Sequence, residues 1–165
     1  MPEASDQLDL RSADDTDLPF LFTLYCDVRA QEMDAWGWPT AQREAFLRMQ
    51  FEAQRRSYLA TYPEATQHII CSDGAAIGRR LVARTHEGMH LVDVALLAAH
   101  RNRGIGTRLI QELMDECVAS DCPLNLWVMQ GNPAQRLYVR MGFRETSSDP
   151  MYIQMAWAPE TGRSA

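Results

Sequence analysis

One run of residues constrains the fold of this chain more than any other: Leu96-Leu97-Ala98-Ala99-His100-Arg101-Asn102-Arg103-Gly104-Ile105-Gly106-Thr107. The apolar segment Met89 to Leu97 enters it, and reads as the most hydrophobic strand of the chain and a central one. An amphipathic segment leaves it, with Ile105, Leu109, Leu113 and Cys117 spaced by four, which predicts a helix over Ile105 to Ser120. The turn between them therefore faces the open end of a helix. The N–H groups of a first helical turn have no intrahelical partners, and the helix dipole adds partial positive charge there, so the loop is an anion site. Gly104 and Gly106 admit close backbone approach, and Arg101 and Arg103 bring full charges. A pyrophosphate fits that chemistry.

Two phosphate-binding patterns are excluded. The dinucleotide fingerprint G-x-G-x-x-G needs a third glycine, but Leu109 stands three residues after Gly106. The loop G-x-x-x-x-G-K-[ST] needs a lysine, and the chain has none. What remains is R-x-x-G-x-G between a strand and a helix. As a bare motif it also describes a surface turn with solvated arginines, so its placement carries the argument.

The rest of the chain surrounds this unit with a regular order of elements. Leu8 to Arg11 alternates and reads as a first strand. Asp14 to Ala30 reads as a helix with Leu18, Leu21, Phe22 and Tyr25 on one side, and Trp36-Gly37-Trp38-Pro39 forms the break after it. Thr40 is read as the N-cap of a long second helix with Phe46, Leu47, Met49, Phe51 and Tyr58 as its apolar positions. Asp73-Gly74 predicts a tight turn between strands Gln67–Ser72 and Ala75–Arg84, and Glu87-Gly88 a second turn. Leu124 to Met129 is a strand, and Pro133 opens a short helix that ends at Gly142. Phe143–Thr146 and Met151–Trp157 are closing strands. The expected organisation is a tail at 1–6, one domain over 7–158 and a second tail at 159–165.

Two separated segments together resemble a known family. Val94 to Ile110 is similar to the acetyl-CoA-binding motif of the GNAT N-acetyltransferase superfamily, whose loop is Q/R-x-x-G-x-G/A and here is Arg101-Asn102-Arg103-Gly104-Ile105-Gly106. The family's second motif runs from a strand to an asparagine, a short helix with a tyrosine, and Gly-Phe. Its counterparts are Leu124–Met129, Asn132, Ala134, Leu137-Tyr138 and Gly142-Phe143. The asparagine stands six residues before the tyrosine where the family often has seven, with Pro133 between them. The likeness extends over residues 8 to 158 and is specific in 90–145. It implies an α/β (α+β) fold: a mixed, mainly antiparallel twisted sheet flanked by helices, the GNAT-like acyl-CoA N-acyltransferase fold.

The resemblance also implies roles. The backbone of Val94, Ala95 and Leu96 would pair with the pantetheine arm of acetyl-CoA, the amides of Arg103, Gly104, Ile105, Gly106 and Thr107 would hold the pyrophosphate beside Arg101 and Asn102, and Asn132 would contact the pantetheine or stabilise the splay of the next strand. The family reaction is direct attack of a primary amine on the thioester. The departing thiolate then needs a donor, and Tyr138 would be that acid. The base is less determined: Asp93 lies on the strand before the loop, and a strand aspartate there is either functional or a structural hydrogen-bonding group; His90 faces the other way and reads as a strand-end residue; a water-mediated base is the other alternative. The acceptor would meet Arg29, Glu32, Trp36, Trp38, Gln50, Gln54 and Tyr58 on the first helices. Family members often dimerise, and Met151, Ile153, Met155 and Trp157 offer an apolar face for a homodimer, although their alternation makes one face core.

Composition narrows the classes further. Net charge is −6 with 46% hydrophobic and 23% charged residues, which argues against a nucleic-acid partner and for an ordinary soluble domain. The apolar run Val94–Ala99 is too short to span a membrane, and the acidic start MPEASDQLDL lacks a signal pattern, so a cytoplasmic location is expected. Cys26, Cys71, Cys117 and Cys122 form no C-x-x-C pair, and His68, His86, His90 and His100 do not cluster, so no metal is expected. Two other classes share the motifs: a non-catalytic acyl-CoA sensor, and an interaction module whose arginine loop meets an acidic surface.

Overall fold

The computed structural model describes residues 7–160; the expected tail at 1–6 and residues 161–165 of the second lie outside these. Strand β1, Leu8–Ser12, leads into a single 3-10 turn at Asp15–Asp17. Asp14 caps that turn by accepting from Thr16 N–H at 2.9 Å, and Asp17 accepts from Asp14 N–H at 2.9 Å. Arg11 grips the same Asp17 carboxylate with Nη1 at 2.9 Å and Nη2 at 2.7 Å. The helix expected over Asp14–Ala30 is thus divided into the 3-10 turn, α1 (Leu18–Val28) and α2 (Ala30–Trp36). The division between α1 and α2 falls at Arg29, which leaves helical geometry at φ −96°, ψ 3°. Gly37, left-handed at φ 65°, ends α2 where the Gly-X-Pro signal lies. Thr40 is the first residue of α3 (Thr40–Thr61) rather than its cap: Pro39 takes the cap position, with no side-chain bond to the first turn.

Strands β2 (Thr66–Ser72) and β3 (Ala75–Thr85) flank Asp73 and Gly74, both left-handed as a two-residue hairpin turn demands. Then come β4 (Gly88–Leu96), α4 (Ile105–Ser120), β5 (Leu124–Met129), α5 (Ala134–Arg140), β6 (Arg144–Ser148) and β7 (Tyr152–Trp157). The seven strands form one sheet in the order β1-β2-β3-β4-β5-β7-β6, which makes β4 central as its hydrophobicity predicts. β1 pairs antiparallel with β2, and β7 antiparallel with both β5 and β6. The pairing of β4 with β5 is parallel, with Met89, His90 and Leu91 opposite Leu124, Asn125 and Leu126. The architecture is a mixed, mainly antiparallel sheet flanked by helices.

Two compact units can be distinguished. One takes in the described residues up to Leu81 together with Asp93–Asn102; the other takes in Val82–Val92 and the described residues from Arg103 onward. In the first, Leu21, Phe51, Ile69 and Cys71 form a buried cluster with Phe22 and Tyr25 against it. Met49, read as part of the apolar stripe of α3, is 58% exposed: it sits two residues from Leu47 and so on the other side of the helix. In the second unit α4 buries Ile105, Leu109, Leu113 and Cys117 and packs on β5. Ile153 and Met155 of β7 are core, while Met151 and Tyr152 are exposed.

Candidate functional site

The end of β4 and the start of the loop are anchored from below. The Leu97 N–H donates to the Ile77 carbonyl at 2.8 Å, holding the strand end to β3. Gly78 permits this approach: a Cβ there would lie 2.3 Å from the Ala95 carbonyl oxygen. Val94, Ala95 and Leu96 are each half-buried. Beyond them Asp27, near the end of α1, accepts from the Ala98 N–H at 2.8 Å and from Arg101 Nη2 at 3.0 Å. Arg101 Nε donates to the Leu96 carbonyl at 2.9 Å. The motif leads one to expect Arg101 to bring charge to a ligand; here it stitches the loop to α1 and to the strand it follows. Arg103 is exposed, with no ion pair among the described residues, and is the arginine of the motif whose charge is open.

The chain then turns through Asn102 at φ 62° and Gly104 at φ 79° into α4. Gly104 is the N-cap and supplies no side chain, so the first-turn N–H groups are uncapped. A Cβ built on Gly104 or Gly106 would meet nothing within 4 Å. The absence of two side chains thus leaves clear space over a row of amides carrying the positive end of a 16-residue helix.

In the second unit, Asn132 and Tyr138 sit on the α5 segment. Asn132 Oδ1 accepts from the Ala134 N–H at 2.9 Å, so the side chain caps α5 two residues downstream. Tyr138 is buried at 8% exposure, with its ring 5.6 Å from that of Phe143. The Phe143 N–H returns to the Tyr138 carbonyl at 3.0 Å, and Gly142, at φ 102°, makes that reversal possible.

The sequence from residue 26 to residue 143 matches the family model described as the acetyltransferase (GNAT) family. That span holds the loop, both glycines, Asn132 and Tyr138, and covers well over half of the chain. The chain belongs to the GNAT acetyltransferase family. Solved GNAT-fold structures agree with the architecture. The PaiA N-acetyltransferase from Thermoplasma acidophilum, crystallised with coenzyme A, superposes with a TM-score of 0.69 at 15% identity, over 93% of this chain and 99% of that one. An acetyltransferase from Thermus thermophilus gives 0.66 at 17% identity, over 93% and 97%. The ribosomal-protein-S18-alanine N-acetyltransferase from Escherichia coli gives 0.61 at 17% identity, over 96% and 99%. No curated protein matches the sequence.

Most of the remaining candidate residues of this GNAT chain fall into two groups on its first unit. Trp36, Trp38 and Phe46 form a ring cluster with centroids 5.1 to 5.7 Å apart, and Arg29 is held beside them by Glu32 at 3.0 and 3.1 Å. The second group surrounds Arg79 of β3, a 6% exposed arginine that the sequence reading passed over. Its Nε donates to Asp93 Oδ2 at 2.8 Å, its Nη2 to Gln54 at 2.9 Å, and its ring neighbour is Tyr58, 5.7 Å from centroid to Cζ. Asp93 therefore has Oδ2 held by a guanidinium, while Oδ1 has no partner among the described residues. His90 lies half-buried on β4, and burial lowers its pKa, which keeps the ring neutral near pH 7. The signal for Arg79 is the pair Arg79-Arg80 set inside the apolar run Ile77–Ala83, where buried charges must find partners; for Asp27 no comparable signal exists.

Proposed function

We propose that this GNAT chain transfers the acetyl group of acetyl-CoA to a primary amine by direct attack. The observation that carries the reading is the uncapped N-terminus of α4 behind Gly104 and Gly106, with open space over its amides. The amides of Arg103, Gly104, Ile105, Gly106 and Thr107 hold the pyrophosphate, with Asn102 shaping the turn and Arg101 fixing the loop through Asp27. Val94, Ala95 and Leu96 offer strand backbone to the pantetheine amides, and Asn132 orders the start of the helix that carries Tyr138.

The reaction needs two proton transfers. The amine loses a proton before its nitrogen bonds the thioester carbon, and Asp93, anchored at Oδ2 and open at Oδ1, takes it through water. As the carbon–sulfur bond breaks, the Tyr138 hydroxyl gives its proton to the departing thiolate. A thiol-release assay with acetyl-CoA and a panel of amines tests this. Release that depends on amine supports the reading. Coenzyme A binding without transfer to any amine would assign the chain to the sensor class instead.

A further inference from the structure

A cleft of about 140 Å³ opens where the C-terminal half of α3 meets the start of β2 and the middle of β3. Two guanidinium groups, Arg55 and Arg79, line it together with Tyr58, Tyr62, Gln67 and Leu81. No carboxylate is among the residues lining it. The two acids that balance these arginines lie outside the wall: Glu52 takes Arg55 Nη1 at 2.9 Å, and Asp93 takes Arg79 Nε and Nη2.

Donor counting shows what the cleft lacks. A guanidinium has five N–H groups. On Arg79, Nε and Nη2 are used by Asp93 and Gln54, and Nη1 reaches only Gln67, at a long 3.4 Å. One Nη1 hydrogen has no acceptor among the described residues, on an arginine whose side chain is 8% exposed. Arg55 gives Nη1 to Glu52 and has no acceptor for Nε or Nη2 among the described residues. Unused, directional cationic donors in an acid-free cleft are the complement of a carboxylate, which takes two parallel N–H bonds from such a fork. The phenol rings and Leu81 form the apolar wall against which the body of a small ligand would lie, and burial pushes the Tyr62 hydroxyl up, so it keeps its proton.

We infer that this cleft binds a carboxylate carried by the acceptor, so that the amines acetylated are small amino acids or related amino-carboxylates. The inference rests on the acetyl-transfer reading only for the word acceptor; binding of the acid is a property of the cleft itself. Its position also gives Arg79 two tasks, since the same guanidinium holds the proposed base, Asp93.

Calorimetry on the full chain tests it, with L-phenylalanine and L-leucine as probes, each against its α-carboxamide. Coenzyme A is titrated separately, so that failure of the cofactor reading is seen independently. The acids are expected to bind at least about tenfold more tightly than the amides, as a charged hydrogen bond to a fixed donor provides. Arg55→Gln, on a partly exposed side chain, should remove that preference and leave coenzyme A affinity unchanged. Arg79→Lys should weaken acid binding in the same direction, provided its circular dichroism matches wild type; if it does not fold, Arg55→Gln and the acid–amide pairs decide. Equal binding of acids and amides, no acid bound below about 10 mM, or an acid preference that survives Arg55→Gln would each overturn the inference.

Discussion

Gly104→Glu separates the fold from the anion site. Gly104 holds φ 79°, a left-handed torsion that costs an L-residue about 1–2 kcal/mol. Nothing lies within 4 Å of the added Cβ, so no packing clash is superimposed. At about 2–4 °C per kcal/mol for a domain of this size, the melting temperature should fall by about 2–8 °C with the fold intact. Binding should suffer far more. A carboxylate brought to about 4 Å from a phosphate charge costs between about 1 kcal/mol in water and about 4 kcal/mol near a protein surface. Against two phosphate charges the loss is at least about 2 kcal/mol, or about 30-fold in Kd. Gly104→Ala carries the same backbone strain without the charge and serves as the control. Calorimetric titration with acetyl-CoA gives the affinities and a thermal melt gives the stabilities. A folded Gly104→Glu protein that binds acetyl-CoA within threefold of wild type would refute the placement of the pyrophosphate over this turn.

Three further outcomes follow from the same geometry. Tyr138→Phe should lower kcat by about 10²–10⁴-fold with little change in KM for acetyl-CoA, whereas a packing role would leave turnover within twofold. Gly78→Ala should destabilise the chain by about 1–3 kcal/mol in denaturant melts, because its Cβ would stand 2.3 Å from the Ala95 carbonyl and β4 must move; an unchanged melt would show that β3 and β4 tolerate the shift. Arg11 and the Asp14 N–H hold the Asp17 carboxyl down at about 2, below its usual range, so this stabilisation is full at neutral pH and is lost as pH falls from about 4 toward 2; Asp17→Asn should therefore be less stable than wild type at pH 7, and the difference should shrink in acid melts.

The parts of this account that were legible in the sequence are those with local causes. Helix α4 and strand β5 have the bounds their periodicity and turn residues predict, because Ile105, Leu109, Leu113 and Cys117 leave one register in which all four are buried. The turn at Asp73-Gly74 is equally local. The division of the first helix was not legible: it depends on Asp17 being captured by Arg11 from β1, and on Arg29 leaving helical torsions between two helix-forming segments. The exposure of Met49, by contrast, has a local cause: its offset of two residues from both Leu47 and Phe51 puts it on the opposite helix face, so helical spacing sets it apart from their stripe. In the candidate site, the glycines and Tyr138 were readable as motif positions. The partners that commit Arg101 to Asp27 and Asp93 to Arg79 are separated by 74 and 14 residues, and only the folded chain brings them together.

The central claim is that the open amides of α4 hold the pyrophosphate of acetyl-CoA. Amide nitrogen–proton NMR during a titration with acetyl-CoA tests it most directly, because each donor reports for itself. Saturable shifts at Ile105, Gly106 and Thr107 are expected, among the largest in the spectrum, and are lost in Gly104→Glu. Saturation of the protein with those three resonances unmoved would contradict it.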